Sequence, residues 1–312
     1  MKDILPLLTG GLILFIYAIS QLSETMREIS TKKAKIIIAK YTRNLFLSIL
    51  VGTGLTILLG SSSAVIILAI VFINAKTLNF KQAVGIILGA NIGTTFSSQL
   101  IALDIGKFAI LPLIIGLIMQ FASKNKKFSR YGKALFFFGM LFFGLYIMEE
   151  SVLPLRDSAI FEEWITKIDE NVLQGTLAGG VITLIIQSSS ATVGMAILLG
   201  KQNLITLSGG LAIMLGSELG TCSDTLIATI KGSRQAIKAG IFHLFYSFVT
   251  IVIGLLVFDW FRELVLWVSY NQSLDNQIAN AHVMFNVVGV LLFLPFVGLS
   301  IKLLNYMIPE NK

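Results

Sequence analysis

The chain has a single cysteine, Cys222, in 312 residues, which excludes an intrachain disulfide. Its only histidines, His243 and His282, are too few and too scattered to build a zinc cluster with it. Charge is scarce: 13% of the residues are charged against 55% hydrophobic, and mean hydropathy is +0.84. A soluble 34.1 kDa domain could not be covered by so little polar surface, so the composition is that of an integral membrane protein. A cleavable leader is not expected, because the stretch 4–19 follows one lysine and lacks a small-residue cleavage site. The net charge of +7 does not read as a nucleic-acid footprint; its distribution reads as membrane topology.

What the chain does have is one pattern written twice. Thr56, Ser61-Ser62-Ser63-Ala64 and Gly89-Ala90-Asn91-Ile92-Gly93-Thr94-Thr95 recur, without a gap, 127 residues later. The second copy is Thr183, Ser188-Ser189-Ser190-Ala191 and Gly216-Ser217-Glu218-Leu219-Gly220-Thr221-Cys222. A fixed offset across polar and apolar positions means two copies of one unit. In membrane proteins, polar breaks at matching points of two halves point to a transport site.

Several apolar stretches approach the roughly 20 residues that cross a bilayer. Spans are expected at 4–22, 82–102 and 107–122, then at 134–149, 205–230 and 236–258, with a last one at 280–303. The spans 82–102 and 205–230 are expected to be interrupted at 89–95 and 216–222. Between the first and second spans of each unit lie 44–59 with 64–73, and 172–187 with 191–200, each broken at its serine run. The expected organisation is a first repeat, 1–122, a basic cytoplasmic linker, 123–133, and a second repeat, 134–258. An additional C-terminal portion, 259–312, holds an amphipathic piece near 259–270 and the last span.

Charge decides how 44–73 sits. The polar stretch before it holds Arg27, Lys32, Lys33, Lys35, Lys40 and Arg43, and the connection after it holds Lys76 and Lys81. Both sides are basic, so the positive-inside rule puts both in the cytoplasm and makes the element a re-entrant hairpin. At 1.5 Å per residue the first limb reaches about 24 Å, which places the serine break inside the hydrocarbon. Each unit then crosses three times, and an odd number inverts the second unit. The expected fold is all-α, with two inverted repeats, each containing a re-entrant helical hairpin and a broken transmembrane helix, plus a C-terminal span. The N-terminus is outside and the C-terminus cytoplasmic. Of 24 Lys and Arg, only Lys2, Lys107, Arg156, Lys167, Lys201 and Arg262 then fall outside. The external side instead gathers acids, including Glu149, Glu150, Asp157, Glu162, Glu163, Asp169 and Glu170.

The candidate substrate residues are Ser61, Ser62, Ser63, Ser188, Ser189 and Ser190. Backbone broken at membrane depth must line a cavity or be buried in protein. Serine is a favoured N-cap, and a helix N-terminus offers free N–H groups and positive partial charge to an anion. Two such termini in an inverted pair can converge on a small, multiply charged oxyanion such as phosphate. The plainer alternative is that each run only caps a helix. The Gly-x-x-x-Gly-Thr segments read either as unwound backbone that coordinates sodium or as a packing face with no ion. Asn91, Thr94, Thr95 and Thr221 are candidate cation ligands. Glu218 stands where the first copy has Asn91, and an intramembrane carboxylate is a functional hypothesis by default. It reads as a cation ligand, a proton-coupling group, a counter-charge to a Lys or Arg, or an idle group in a water-filled vestibule. Asp224 lies six residues on. His243 and His282 read as buried imidazoles bonded to neighbouring spans.

At these residues the chain resembles the type II sodium/phosphate cotransporter family, in its bacterial branch. The resemblance rests on Gln187-Ser188-Ser189-Ser190-Ala191-Thr192, on the 89–95 segment, and on Ala279-Asn280-Ala281-His282 with Phe285-Asn286, and it covers residues 8–300. It implies sodium-coupled symport of inorganic phosphate by alternating access, with phosphate on the serines. Gln187 joins Asn91, Thr94, Thr95, Glu218 and Thr221 as a sodium ligand. The expected partners are inorganic phosphate, sodium as coupling ion and a lipid bilayer, the inner membrane of a bacterium. No other cofactor, no nucleic acid and no enzymatic activity are expected; an oligomer is left open. The chain departs from the family pattern at Gly60, where the first copy lacks its Gln, and at Glu218. The alternatives left open are a different small anion, proton coupling through Glu218, or a membrane protein that binds phosphate without moving it.

Overall fold

Helix ends recur at the same 127-residue offset as the sequence. The computed structural model describes residues 4–42, 44–103, 108–122, 125–152, 159–230 and 232–309. Regular structure among them is helical throughout. The first half comprises α1 (Ile4–Tyr41), α2 (Leu45–Leu59), α3 (Ser62–Asn74), α4 (Phe80–Ala102) and α5 (Ile110–Ala122). The second comprises α6 (Lys126–Val152), α7 (Ala159–Glu170), α8 (Val172–Ile186), α9 (Ser189–Lys201), α10 (Leu207–Gly220), α11 (Cys222–Thr229) and α12 (Arg234–Leu256). The tail adds α13 (Phe258–Val268), α14 (Leu274–Phe293) and α15 (Val297–Met307). Shifting the ends of α2 and α3 by 127 residues yields the ends of α8 and α9. Shifting α4 yields the start of α10 and the end of α11.

The matching starts have one chemical cause. A helix leaves its first N–H groups unpaired, and water is not there to take them inside a membrane. Asn44 and Asn171 cap α2 and α8, Ser61 and Ser188 cap α3 and α9, and Asn79 and Thr206 cap α4 and α10. Asn79 forms a reciprocal pair with Gln82, whose side chain returns to the Asn79 N–H at 2.9 Å.

Close packing between α2 and α4, and between α8 and α10, rests on glycine. A Cβ on Gly89 would sit 2.0 Å from the Ile49 carbonyl oxygen, and one on Gly216 would sit 1.8 Å from that of Thr176. Gly52 and Gly179 make the reverse approach, onto the Ile86 and Ile213 carbonyls. The Gly-x-x-x-Gly segments are therefore helix-packing faces. This corrects the expected interruption of the first copy, since α4 runs unbroken from Phe80 to Ala102. In the second copy the break is a single residue, Thr221, between α10 and α11.

Several polar stretches between the expected spans are helices. The basic stretch 23–43 is helical as far as Tyr41, because nothing between Gly11 and Tyr41 breaks a helix and Ala, Lys, Arg and Glu favour one. The linker 123–133 is already helix from Lys126, and 159–170 within the polar stretch 150–171 forms α7. Lys2, Arg43, Lys107, Arg156 and Asp157 lie outside the described residues. By length and hydropathy, five helical stretches among the described residues are able to cross a membrane: Pro6–Ile29, Phe80–Ala102, Lys126–Ser151, Arg234–Leu256 and Leu274–Met307. The last of these is interrupted at Pro295 by a short 3₁₀ turn, Leu294–Phe296. The other two expected spans are α5, only 13 residues long as described, and the divided α10–α11. Large apolar side chains on α5, including Leu111, Ile114, Ile118 and Phe121, are exposed as lipid-facing side chains would be. On α13, Trp260 and Trp267 are exposed, as in the aromatic belt of a membrane interface.

The two halves interlock. α1 packs on α6, its own counterpart, while α3 packs on α11 and α9 packs on α4. Each serine-capped helix therefore lies against the other half. Apolar cores follow this pattern: Ile66, Ile87 and Leu88 share one cluster with Phe242 and Phe293 of α12 and α14. Phe15, Phe142 and Ala191 share another, where α1, α6 and α9 meet.

Gly216→Ala is expected to lower the unfolding free energy by about 1–3 kcal/mol through overpacking. Gly54→Ala, whose Cβ meets nothing within 4 Å, is expected to leave it unchanged or raise it. Thermal unfolding in detergent compares the two, and equal losses would refute the packing account.

Candidate functional site

Each serine run begins at a sharp turn. α2 ends at Gly60 with φ +65°, and α8 ends at Gln187 with φ +57°. Their N–H groups donate to the Thr56 and Thr183 carbonyls at 2.8 and 2.7 Å. Glycine adopts this left-handed conformation freely, whereas another residue pays roughly 1–2 kcal/mol. Gly60 is thus the residue type the turn favours, and Gln187 is held there against its preference with its side chain exposed. The next residue caps the following helix: Ser61 Oγ accepts from the Ala64 N–H and Ser188 Oγ from that of Ala191, both at 3.2 Å. Ser62, Ser189 and Ser190 are buried, and Ser63 is half-buried.

The interlock supplies the third side of each turn. Ser63 Oγ donates to Asp224 Oδ2 at 3.0 Å, joining α3 to α11. The repeat counterparts of these residues are Ser190 and Ser97. Both line a cavity of about 350 Å³, together with Gly60 and Ser23. Its remaining wall is apolar, with Ile57, Leu100 and Phe138 among its members. The turn of the first half and the serine run of the second thus reach one cavity, and Ser190 is the serine of the two runs on its wall.

Of the candidate cation ligands, Asn91, Thr94 and Thr95 lie on ordered helix and Thr221 at the break between α10 and α11. Thr94 Oγ1 donates to the Ala90 carbonyl at 3.0 Å, Thr95 Oγ1 to Ile92 at 2.7 Å, and Thr221 Oγ1 to Ser217 at 3.0 Å. Asn91 Nδ2 donates to the Ile87 carbonyl at 2.9 Å. These bonds use donors, so hydroxyl lone pairs and the amide oxygen remain to accept or to coordinate. Each half sets its serine turn beside its Gly-Thr pair: Thr56 abuts Gly93, and Thr183 abuts Gly220. Unwound carbonyls do not contribute in α4, because that helix is continuous.

Glu218 belongs to a different arrangement. Its Oε1 accepts from His282 Nε2 at 2.8 Å and from Asn286 Nδ2 at 3.0 Å. His282 Nδ1 in turn lies 2.6 Å from Ser98 Oγ. A neutral ring that donates from Nε2 accepts from that hydroxyl, while a protonated ring donates at both nitrogens. The chain Ser98–His282–Glu218 ties α4, α14 and α10 together through buried side chains. It overturns two expectations for Glu218. Among the described residues its partners are His282 and Asn286 rather than a Lys or Arg, and at 7% exposure it does not stand in an open vestibule. Thr225, the repeat counterpart of Ser98, likewise meets a histidine: its Oγ1 lies 2.9 Å from His243 Nδ1. Among the described residues, no group of three or more His, Cys, Asp and Glu side chains is placed to hold a metal ion.

The matched halves differ at one buried hydroxyl. Thr183 Oγ1 donates to Thr192 Oγ1 at 2.7 Å. In the first half the counterpart of Thr192 is Val65, and the buried Thr56 Oγ1 has no hydrogen-bond partner. Sequence reasoning singled out Thr56 and Thr183 only as markers of the repeat. It did not reach Ser97, Ser98 or the Ser63–Asp224 contact; the signal available was that Ser97 and Asp224 share a repeat position.

The sequence pattern of one family, described as Na+/Pi-cotransporter, matches residues 14–150 and 156–274. The chain belongs to that family. Among proteins similar to this family member is the uncharacterized protein YqeW of Bacillus subtilis (strain 168). It is 26% identical over 303 residues, covering 97% of this chain and 98% of the relative. A protein named for inorganic phosphate export, YjbB of Escherichia coli (strain K12), is 24% identical over 248 residues. That match covers 79% of this chain but 45% of YjbB. The YjbB of Salmonella typhimurium is 21% identical over 260 residues, 83% of this chain and 48% of that protein. No solved structure matches the chain.

Val65→Thr is expected to give Thr56 the partner that Thr183 already has and to raise stability by about 1 kcal/mol. Thr192→Val is expected to orphan Thr183 and cost about 1–3 kcal/mol. Thermal unfolding in detergent reads both; if Val65→Thr destabilises as much as Thr192→Val, the two hydroxyls do not pair as described.

Proposed function

We propose that this protein is a multi-pass membrane transporter that moves inorganic phosphate, coupled to sodium, by alternating access. The observation that carries the proposal is the pair of serine-capped helix starts, each packed against the opposite half, with Gly60 and Ser190 on the wall of one cavity. Free N–H groups and hydroxyls at two helix N-termini are the donors a small oxyanion requires. Membership of the Na+/Pi-cotransporter family, and a relative named for phosphate export, support phosphate as the anion. Sodium is supported by the family's description and by the oxygen acceptors left at Asn91, Thr94, Thr95 and Thr221, with Gln187 at the turn and Glu218 nearby on α10.

The topology we propose has the second half inverted in the membrane. Reciprocal packing of α3 on α11 and α9 on α4 is the contact pattern of a two-fold relation. Most basic residues of both halves then collect on the cytoplasmic side, with α2–α3 and α8–α9 as re-entrant hairpins that enter from opposite faces. A bacterial inner membrane, with the N-terminus outside and the C-terminus cytoplasmic, suits this charge distribution.

Radiolabelled phosphate uptake into proteoliposomes tests the function. Uptake is expected to require an inward sodium gradient, and folded protein that neither binds nor moves phosphate would overturn the reading. Ser190→Ala is expected to weaken phosphate affinity about 10- to 150-fold, the worth of one hydrogen bond to a charged group. Topology is tested by single cysteines at the exposed positions Glu162 and Lys127, with Cys222 buried and silent. An impermeant thiol reagent is expected to label the two from opposite sides of the membrane; labelling from one side would end the inverted arrangement.

A further inference from the structure

Between α12 and the α14–α15 stretch lies a second cavity, of about 470 Å³, which α13 also lines. It shares no residue with the cavity of the serine runs. Its polar side chains are Thr250 and Ser300, and both are already satisfied. Thr250 Oγ1 donates to the Tyr246 and Ser247 carbonyls at 2.9 and 3.0 Å, and Ser300 Oγ to that of Phe296 at 3.0 Å. Every other lining side chain is aliphatic or aromatic. Nothing on the wall waits for an ion or a polar solute, and an apolar cavity of this kind stays dry.

What fills it is decided by where it lies. Its long walls belong to two of the stretches able to cross a membrane, Arg234–Leu256 and Leu274–Met307. Along its floor Thr250, Phe285, Phe293 and Ser300 are buried, while Ile253, Leu292, Phe296 and Leu299 on its rim are exposed. The rim continues into the exposed Leu256 and Leu291 of the same two helices, so the cavity is a groove that opens sideways onto hydrocarbon. α12 lines it from Phe245 to Val257, about 18 Å of helix. One leaflet of a bilayer is about 15 Å of hydrocarbon, half of a core of about 30 Å. At the Val257 end the lining passes to Phe261 of α13, whose ring lies 6.1 Å from that of Phe285. α13 carries the exposed Trp260 and Trp267, so this end of the groove lies at the membrane interface. The groove therefore starts at one interface and runs inward by the depth of one leaflet.

We propose that this groove holds one acyl chain of a membrane phospholipid, drawn from the leaflet at which α13 lies. Inside a bilayer there is no water to expel, so contact holds the chain: an unfilled groove forfeits dispersion contacts along both walls. The chain supports α14 in return. Phe285 lines the groove three residues after His282 and one before Asn286, the two residues that bond Glu218. A filled groove thus backs the helix that keeps Glu218 satisfied. The proposal rests on the membrane assignment alone, so failure of phosphate or sodium transport would leave it standing.

The test counts phospholipid on protein purified in mild detergent, by native mass spectrometry. The unaltered protein is expected to retain phospholipid. Val288→Trp sets an indole in the groove where the tail would lie, whereas Leu291→Trp sets the same ring on the exposed side of α14 outside it. Val288→Trp is expected to retain one phospholipid fewer than the unaltered protein, and Leu291→Trp the same number. After lipid is stripped, added palmitoyl-oleoyl phosphatidylethanolamine is expected to raise the thermal transition of the unaltered protein and of Leu291→Trp, and not that of Val288→Trp. Unaltered protein that retains no phospholipid would overturn the proposal, a result that needs no variant to fold. So would a Val288→Trp variant that retains as much as Leu291→Trp. A second copy of the chain seated on the groove, read as disulfide formation between Val288→Cys chains in proteoliposomes, would overturn it too.

Discussion

Everything in this fold follows from the obligation to satisfy backbone polar groups where water is absent. An unpaired N–H or carbonyl in hydrocarbon costs several kcal/mol, so a chain that breaks its helices at membrane depth must supply a substitute at every break. Here the substitute is a side chain one residue ahead of the helix: Asn44, Ser61 and Asn79 in one half, Asn171, Ser188 and Thr206 in the other. The same caps that make the breaks tolerable leave further N–H groups at each helix start pointing out of it. In the proposed function, structural necessity and anion recognition are thus served by the same atoms.

The parts legible in the sequence were those written locally. Serine caps, the 127-residue offset and the ends of α2, α3, α8 and α9 follow from residue type and spacing. The basic stretch after residue 22 reads in the sequence only as a polar connection, because charge marks a segment that leaves the membrane, not one that stops being helical; α1 simply continues to Tyr41. The glycines at 89, 93, 216 and 220 were ambiguous for a related reason. Glycine serves both an unwound backbone and a close helix contact, and only the neighbouring helix, with its carbonyls at Ile49 and Thr176, decides between them.

The site was less legible than the fold because its contacts cross the halves. Ser63 and Asp224 are 161 residues apart, and Ser98 reaches His282 across 184. Neither pairing has a local signature. Glu218 was visible as an anomaly, yet its partners were not, since His282 and Asn286 come from the tail beyond both repeats. The tail is therefore tied into the core: α14 supplies the polar groups that keep a carboxylate satisfied in the interior of α10.

The crossing of α3 onto α11 and of α9 onto α4 also bears on how such a chain can be made. Each half covers its own serine-capped helix only in part, so the first half leaves the ribosome with α3 lacking the face that α11 supplies. It must wait in the bilayer until α11 is synthesised about 150 residues later, many seconds at ordinary elongation rates. Assembly is consequently completed late, when the contacts of α3 with α11 and of α4 with α9 form across the halves.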